Sequence, residues 1–455
     1  MQSWKMEFRL LWRSRMSRMF LLAYLILALL ALYWGQQRVD REQTFHAQVV
    51  EQTQQVLASY QAEGAEALDP GYLGYYLFMP VWQTPEVWAG VIHGERHEHP
   101  VQLRIRLLGL QGQLHASEIH NISALAYGHL DLAFVWLFVM PLLIGALSVN
   151  LLAEEKMRGR WPIIAAQSSN AVVILWRRLL LRFGMLAIVN SVVLLAVLLI
   201  TPVSFGISWL LVAMLVLLYQ LFWMVLAGWI ISLKRQMAFN TLLYLCIWLI
   251  LSFVIPGVGY LLQAQQQQAA EHIGMMTEQR QYMHDRWDSD RQADLDNYLQ
   301  RFPEWADTAP LGEGFDWKWY FAMQHMSDLM VEDRVEDYRQ QRLKALQLQQ
   351  AFLWSSPVLN LQTLLNRMAG NDTLAHQAFL DQVIAYHDEL RDFYYPFLFH
   401  DASFSEADFA RIPAFVYQAP KQSFLLMGLM QFALGFVLLL GLLLSRRKHW
   451  LESDL

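Results

Sequence analysis

Residues 179–233 read LLLRFGMLAIVNSVVLLAVLLITPVSFGISWLLVAMLVLLYQLFWMVLAGWIISL, with Arg182 as the one charged residue. Two uninterrupted apolar blocks, Leu179–Thr201 and Ile207–Leu233, flank a short uncharged turn, Pro202–Gly206. A bilayer core takes about 20 apolar helical residues at 1.5 Å each, so either block is long enough to cross it. A water-soluble protein would instead spread its apolar residues as stripes on faces.

Outward from this pair the sequence holds four more such blocks: Met19–Trp34, Leu132–Leu152, Phe239–Leu262 (a span placed at 238–262) and Ser423–Ser445. The reading is a membrane all-α fold of six transmembrane helices. The first block is the shortest, but Leu10-Leu11-Trp12 before it and an apolar helix after it can extend it. It ends in Ala31-Leu32-Tyr33-Trp34, bulky where a signal peptidase needs small residues, so a retained anchor is expected. Composition agrees: 55% of residues are hydrophobic and 16% charged, against about 25% charged in average proteins. The formal net charge of −6 is too small to imply a nucleic-acid partner. The single cysteine, Cys246, lies in an apolar block, so neither a disulfide framework within one chain nor a CxxC motif is available.

Lysine and arginine in the short flanks set orientation. Lys5, Arg9, Arg13, Arg15 and Arg18 precede span one; Lys156, Arg158, Arg160, Arg177 and Arg178 follow span two. Lys234-Arg235 follows span four, and Arg446-Arg447-Lys448 opens a tail, 446–455. With six spans all four groups fall on one side. Both termini are therefore expected in the cytoplasm, in a bacterium at the inner membrane.

Segments 35–130 and 263–422 are then external. In the first, Phe45, Val49, Val56, Leu57 and Tyr60 recur at helical spacing, stopping by Gly64, and Asp69-Pro70-Gly71 reads as a turn. Val101, Leu103, Ile105 and Leu107 alternate with polar residues, as in a strand with one buried face, and Trp88–Ile92 is a candidate partner strand. A small mixed α/β lobe is expected. The second segment is acid-rich and reads as a larger helical lobe, with helices over Gln263–Tyr282, Trp317–Trp354, Leu359–Met368 and Ala375–Tyr394, the last closed by Pro396.

The motifs for a phosphate loop, HExxH, GxSxG and CxxC pairs are missing from the sequence, so a nucleotide-hydrolysing site of that kind is excluded. His93, His97 and His99 stand close enough in sequence to share a zinc or copper ion, but Arg96 intrudes, and a polar hairpin loop explains them as well. In residues 1–18, Trp4, Phe8, Leu11 and Trp12 fall on one helical face, with Lys5, Arg9 and Arg13 on another. That pattern suits a helix lying on membrane lipid, although a plain basic leader would orient the chain equally well. Asn190, Gln220 and Gln431 lie mid-span; such amides bond a neighbouring helix or line a pathway. Pro141 and Pro256 are placed to kink spans two and five.

The segment 153–178 after span two opens on Glu154-Glu155, passes Gly159, and offers a short helix at Trp161–Gln167, with Pro162 suited to its first turn and Ile163 and Ile164 free to meet a partner. A charge-balanced connector is the alternative. Here the residues resemble type-2 ABC transporter permeases, which combine an interfacial helix, six spans and a cytoplasmic coupling helix between spans two and three. Within that class the chain looks like a subgroup with a domain of unknown function in its external parts, related to copper-maturation-type permeases. The stretches that carry this are Trp88-Ala89-Gly90, Arg104-Ile105-Arg106-Leu107, Ser117-Glu118-Ile119-His120-Asn121, Gly128-His129-Leu130-Asp131, Ser356-Pro357, and Ala369-Gly370-Asn371-Asp372 through His376, Phe379 and Leu380.

The resemblance implies a membrane subunit that is not itself an enzyme, pairs with itself or a sister permease, and is driven by separate cytoplasmic ATPase subunits that hold the ATP and Mg. No cofactor is expected on this chain. Glu154, Glu155, Gly159, Trp161, Ile163, Ile164 and Gln167 would form the coupling entry. Substrate export, force transmission to a periplasmic protein, and metal handling through the histidines are the functions the sequence leaves open.

Overall fold

The computed structural model describes residues 2–63, 69–115, 130–167, 171–264, 269–420 and 433. Among these, five helices are long and apolar enough to cross a membrane: Arg15–Ala62, Leu132–Met157, Val173–Ile200, Ile207–Ser232 and Met237–Leu262. They coincide with the first five blocks read from the sequence. Of the sixth block, Ser423–Ser445, all but residue 433 lies outside the described residues, Gln431 included. The chain is a mostly helical membrane protein with little sheet.

Span one belongs to a single helix of 49 residues, Arg15–Glu63. At 1.5 Å per residue it is about 74 Å long, so it continues well past the apolar stretch, as its periodicity predicts. Span three starts earlier than the apolar block suggests: its helix runs Ala171–Ile200 and carries Trp176, Arg177 and Arg178 on its first turns.

Spans two and five share one irregularity. Each holds a π-helical turn, Val135–Val139 and Ile250–Val254, ending two residues before a proline, Pro141 and Pro256. Proline removes one amide donor, and the widened turn shifts the bonds before it, so a carbonyl in each helix is freed. In span two the Leu137 carbonyl, four residues before Pro141, accepts instead from the Tyr219 hydroxyl of span four at 2.7 Å. Gly145 makes room for the adjoining Tyr244 ring, which a Cβ there would approach to 2.4 Å. The Tyr244 hydroxyl donates to the Pro141 carbonyl at 2.7 Å.

The long segment after span one and the long segment after span five share one hydrophobic core instead of forming separate lobes. Leu73, Met79, Val81, Ile105 and Leu107 from the first pack with Leu295, Tyr298, Phe321, Phe379 and Phe399 from the second. The strand expected near residue 103 exists as β2, Gln102–Ile105, but its antiparallel partner is β1, Met79–Trp82, with Met79 opposite Ile105. Trp88–Ile92 is a turn, not a strand; its bonds run Ala89 N to Glu86 O and Val91 N to Trp88 O. That turn packs on the long helix at Gly35, where a Cβ would lie 2.2 Å from the Gly90 carbonyl oxygen.

Two helices of the lobe also differ from expectation. The stretch Trp317–Trp354 is two helices, Trp317–Met330 and Glu332–Phe352, broken at buried Val331. The helix Thr373–Phe399 runs through Pro396 instead of stopping there. Leu398 and Phe399 beyond it are buried in the lobe core, and that packing offsets the single lost amide bond.

Candidate functional site

The segment after span two forms a charge cluster that ties three elements together. Span two ends in a short helix, Leu151–Met157, closed by Gly159 at φ +66°, a left-handed conformation that favours glycine. The Arg160 amide returns to the Glu155 carbonyl at 2.9 Å. The Glu155 carboxylate is 2.9 Å from the Arg178 guanidinium of span three and 2.7 Å from Arg160. Arg178 also reaches Glu7 of the N-terminal helix at 2.9 Å. Arg178, Glu155 and Glu7 are all largely buried, with side chains 11–12% exposed. Such charges hold only as a set, because removing one leaves its partners desolvated and unpaired. Glu154 makes an exposed pair with Arg158 at 2.6 Å and adds little.

From this anchored turn projects the helix Trp161–Gln167. Trp161 is half-buried against the bundle, Ile164 is intermediate, and Pro162, Ile163, Ala165 and Ala166 are exposed. Ile163 is 58% exposed. Gln167 closes the helix. An anchored short helix with an apolar outer face has the form of a docking element. The sequence marked Glu155, Gly159 and the helix itself. It missed Glu7 and Arg178 as partners, since both read as ordinary residues of basic flanks.

The N-terminal helix runs Gln2–Arg13. Trp4, Phe8 and Trp12 are 40–52% exposed, and the Phe8 and Trp12 rings stack at 6.0 Å. Leu11, expected on that same face, is buried at 7%. The face is thus a ladder of three aromatic rings at spacing four, with Leu11 turned inward.

Asn190 and Gln220 form one buried chain of hydrogen bonds. The Tyr24 hydroxyl donates to Asn190 Oδ1 at 2.8 Å, and Asn190 Nδ2 donates to Gln220 Oε1 at 3.0 Å. Gln220 Nε2 donates to the Phe183 carbonyl at 2.8 Å. The chain links spans one, three and four and leaves the amides bonded between helices. Tyr24 went unread because tyrosine in a span has no distinctive spacing.

The histidines separate into two stacks. His93 stacks on His97 at 5.6 Å, and His99 stacks on His376 at 4.5 Å. Among the described residues no group of three metal-ligating side chains converges. Instead, the 93–99 turn clamps the lobe to the bundle. Asp131, capping span two, accepts from the Phe134 and His93 amides at 2.7 Å each. Asn371 donates to the Ile92 carbonyl at 2.7 Å, and Thr373 donates twice to Glu95 Oε2, at 2.9 and 2.7 Å. Burial raises the Glu95 carboxyl pKa. Burial, with His99 beside it, lowers the His376 imidazole to about 2, so the ring is neutral.

Stretches far apart in sequence meet at this junction: Trp88-Ala89-Gly90, Asp131, and Ala369-Gly370-Asn371-Asp372 through His376. Just beyond, the helix Pro357–Met368 pushes into the bundle as a wedge, burying Val358, Leu361, Leu364 and Leu365 among the spans. Residues 263–418 match a family described as a domain of unknown function (DUF3526); the wedge, the Asn371–His376 side of the clamp and the second segment's part of the lobe fall within the matched stretch. Neither a curated protein nor a solved structure matches the chain.

Proposed function

We propose that this chain is the membrane permease subunit of an ABC-type complex, one half of a transmembrane unit driven by separate ATPase subunits. In this reading six spans place both termini in the cytoplasm of an inner membrane, and the lobe lies outside. The helix Trp161–Gln167 meets the ATPase. The observation that carries it is the anchoring of that helix: Glu155, Arg178 and Glu7 bind it to spans two and three and to the N-terminal helix at once. A stroke delivered to exposed Ile163 would move a rigid unit. The ATP and Mg belong to the partner subunits, and a second copy or a sister permease completes the pathway for an exported substrate.

The test replaces Trp161–Gln167 by a Gly/Ser stretch in the full chain. Loss of ATPase co-purification, or of the activity it gains in the complex, is the expected result. A complex that assembles and works unchanged would refute the assignment.

A second reading has its own support. The helix Arg15–Glu63 runs unbroken from span one into the lobe, and the wedge roots the lobe between the spans. Motion of the bundle would be delivered to the lobe, as in a mechanotransmitter acting on a periplasmic protein. Solute accumulation in inverted vesicles favours export. ATP-dependent change in the lobe without solute movement favours transmission.

A further inference from the structure

A continuous run of aromatic rings lies on the lobe, far from the apolar bundle. It starts at Tyr60 near the end of the long helix, which meets Tyr72 at 5.9 Å. Tyr72 meets Tyr76 at 4.4 Å, and Tyr76 meets Tyr75 at 4.7 Å. Tyr75 meets Trp317 at 5.6 Å, Trp317 meets Phe315 at 4.7 Å, and Phe315 meets Trp287 at 6.5 Å. Tyr72, Tyr76, Trp287 and Phe315 are 37–51% exposed. Soluble surfaces seldom leave so many large rings in contact with water unless a partner covers them.

The ridge is rigid. Trp317 Nε1 donates to Asp69 at 3.1 Å, and a Cβ on Gly71 would sit 2.1 Å from the Trp317 ring. Fixed aromatic rings lose little entropy when they bind, which suits them to docking. Membrane lipid is the wrong partner: Tyr60 is about 40 Å along the helix past Trp34, where the apolar stretch ends.

Charge decides the partner. Between Asp285 and Asp316 nine carboxylates stand against three guanidiniums. Asp288, Asp307 and Glu313 are exposed. At the Trp287–Phe315 end this field repels phosphate polymers and acidic proteins and attracts basic ones, while at the other end the Tyr75 ring already carries the Arg106 guanidinium at 5.1 Å. The chain already uses neighbouring rings for its own cations. The Arg291 guanidinium lies 4.9 Å over Trp319 while donating to the Gly314 carbonyl at 2.7 Å. Arg286 lies 5.2 Å over Tyr282. Ring faces beside carboxylates and carbonyls bind guanidinium and ammonium groups by quadrupole attraction together with ion pairing.

We propose that this ridge docks an arginine- or lysine-rich segment of a partner protein, its cations over the rings and its charge against the flanking carboxylates. The proposal stands on the lobe surface alone and does not depend on the transport reading. The test uses the full-length protein in neutral detergent and a fluorescent (Gly-Arg)6 peptide, with (Gly-Glu)6 and an N-acetylglucosamine hexamer as competing probes. Binding of (Gly-Arg)6 alone is expected. It should weaken about tenfold in Tyr76→Ala/Phe315→Ala, and similarly in Asp288→Asn/Asp307→Asn/Glu313→Gln. Tyr76→Phe should retain it, and unchanged thermal melting should show that the variants fold. Peptide binding indifferent to the ring substitutions would reduce the effect to bulk charge and overturn the proposal. Preferential binding of the sugar hexamer would overturn it in favour of a saccharide.

Discussion

The Ser356 hydroxyl donates a 2.6 Å hydrogen bond to the Leu251 carbonyl across the boundary between the wedge helix and span five. Leu251 needs that donor. The Ile255 amide is diverted to the Ile250 carbonyl by the π turn, and the next residue, Pro256, has no amide hydrogen. The same hydroxyl accepts from the Leu359 amide at 3.2 Å, capping the wedge. One side chain thus starts the wedge and mends the kink.

Ser356→Ala removes both bonds. The loss should be about 2 kcal/mol, combining a buried carbonyl left without a donor and a lost cap. Amide hydrogen exchange should quicken at residues 250–259 and 357–361, while Ser356→Thr should lose less than half as much. If the alanine variant exchanges like the parent at both places, the hydroxyl is not what holds the wedge to the span.

Arg178 makes a sharper demand. Arg178→Ala leaves Glu155 and Glu7 largely buried, each without its Arg178 partner, a change on the order of 3 kcal/mol. Thermal melting of the detergent-solubilised protein should fall accordingly. Arg178→Lys should recover only part of this, because an ammonium lacks the planar fork that reaches both carboxylates. Glu154→Gln, at an exposed pair, should change melting by less than about 0.5 kcal/mol. Equal effects at Glu154 and Arg178 would remove the distinction between anchored and decorative charge.

How far these relationships could be read beforehand depends on their range. The spans were legible because an uninterrupted apolar run has one stable environment, and Gly159 because a helix end followed by glycine is a local signal. The Met79–Trp82 strand was hidden by Pro80, which the edge of a two-stranded sheet tolerates. The break at Val331 has neither glycine nor proline to mark it, and the helix through Pro396 depends on what Phe399 packs against. The shared core of the two long segments, the inward turn of Leu11 and the Glu7–Arg178 pair depend on partners distant in sequence. Periodicity says which face is buried, not against what.

The amide chain in the bundle distinguishes packing from passage. Asn190→Leu fills similar volume but strips the Tyr24 hydroxyl and the Gln220 carbonyl of their shared partner. Hydrogen bonds between membrane helices average about 0.6 kcal/mol each, so the expected loss is about 1 kcal/mol. If the chain is the permease proposed above, activity of its complex should fall by no more than about fivefold, the rate equivalent of about 1 kcal/mol. A variant that melts like the parent yet abolishes activity would place Asn190 on a pathway and not in the packing.

The buried histidines of the lobe give it an acid limit. His376 is lowered to about 2 and His325 to about 3, both mainly by burial, and His387 is lowered well below 6.5 for the same reason. A group whose folded value lies below its unfolded value adds stability above the unfolded value and loses it as pH falls. For His376 the loss therefore begins near 6.5 and continues toward 2. Each such ring should remove about 1.4 kcal/mol per pH unit within its window. Glu95 and Asp328 oppose this, since burial raises their folded values and their protonation on acidification favours the fold. The comparison that isolates one ring is the parent against His376→Gln, melted from pH 7 to pH 5. The variant should start less stable, having lost the stack on His99, but its melting temperature should fall less steeply with acid. Parallel slopes in the two proteins would mean that His376 keeps its proton equilibrium on folding and that the neutral stacked ring is not part of the clamp's stability.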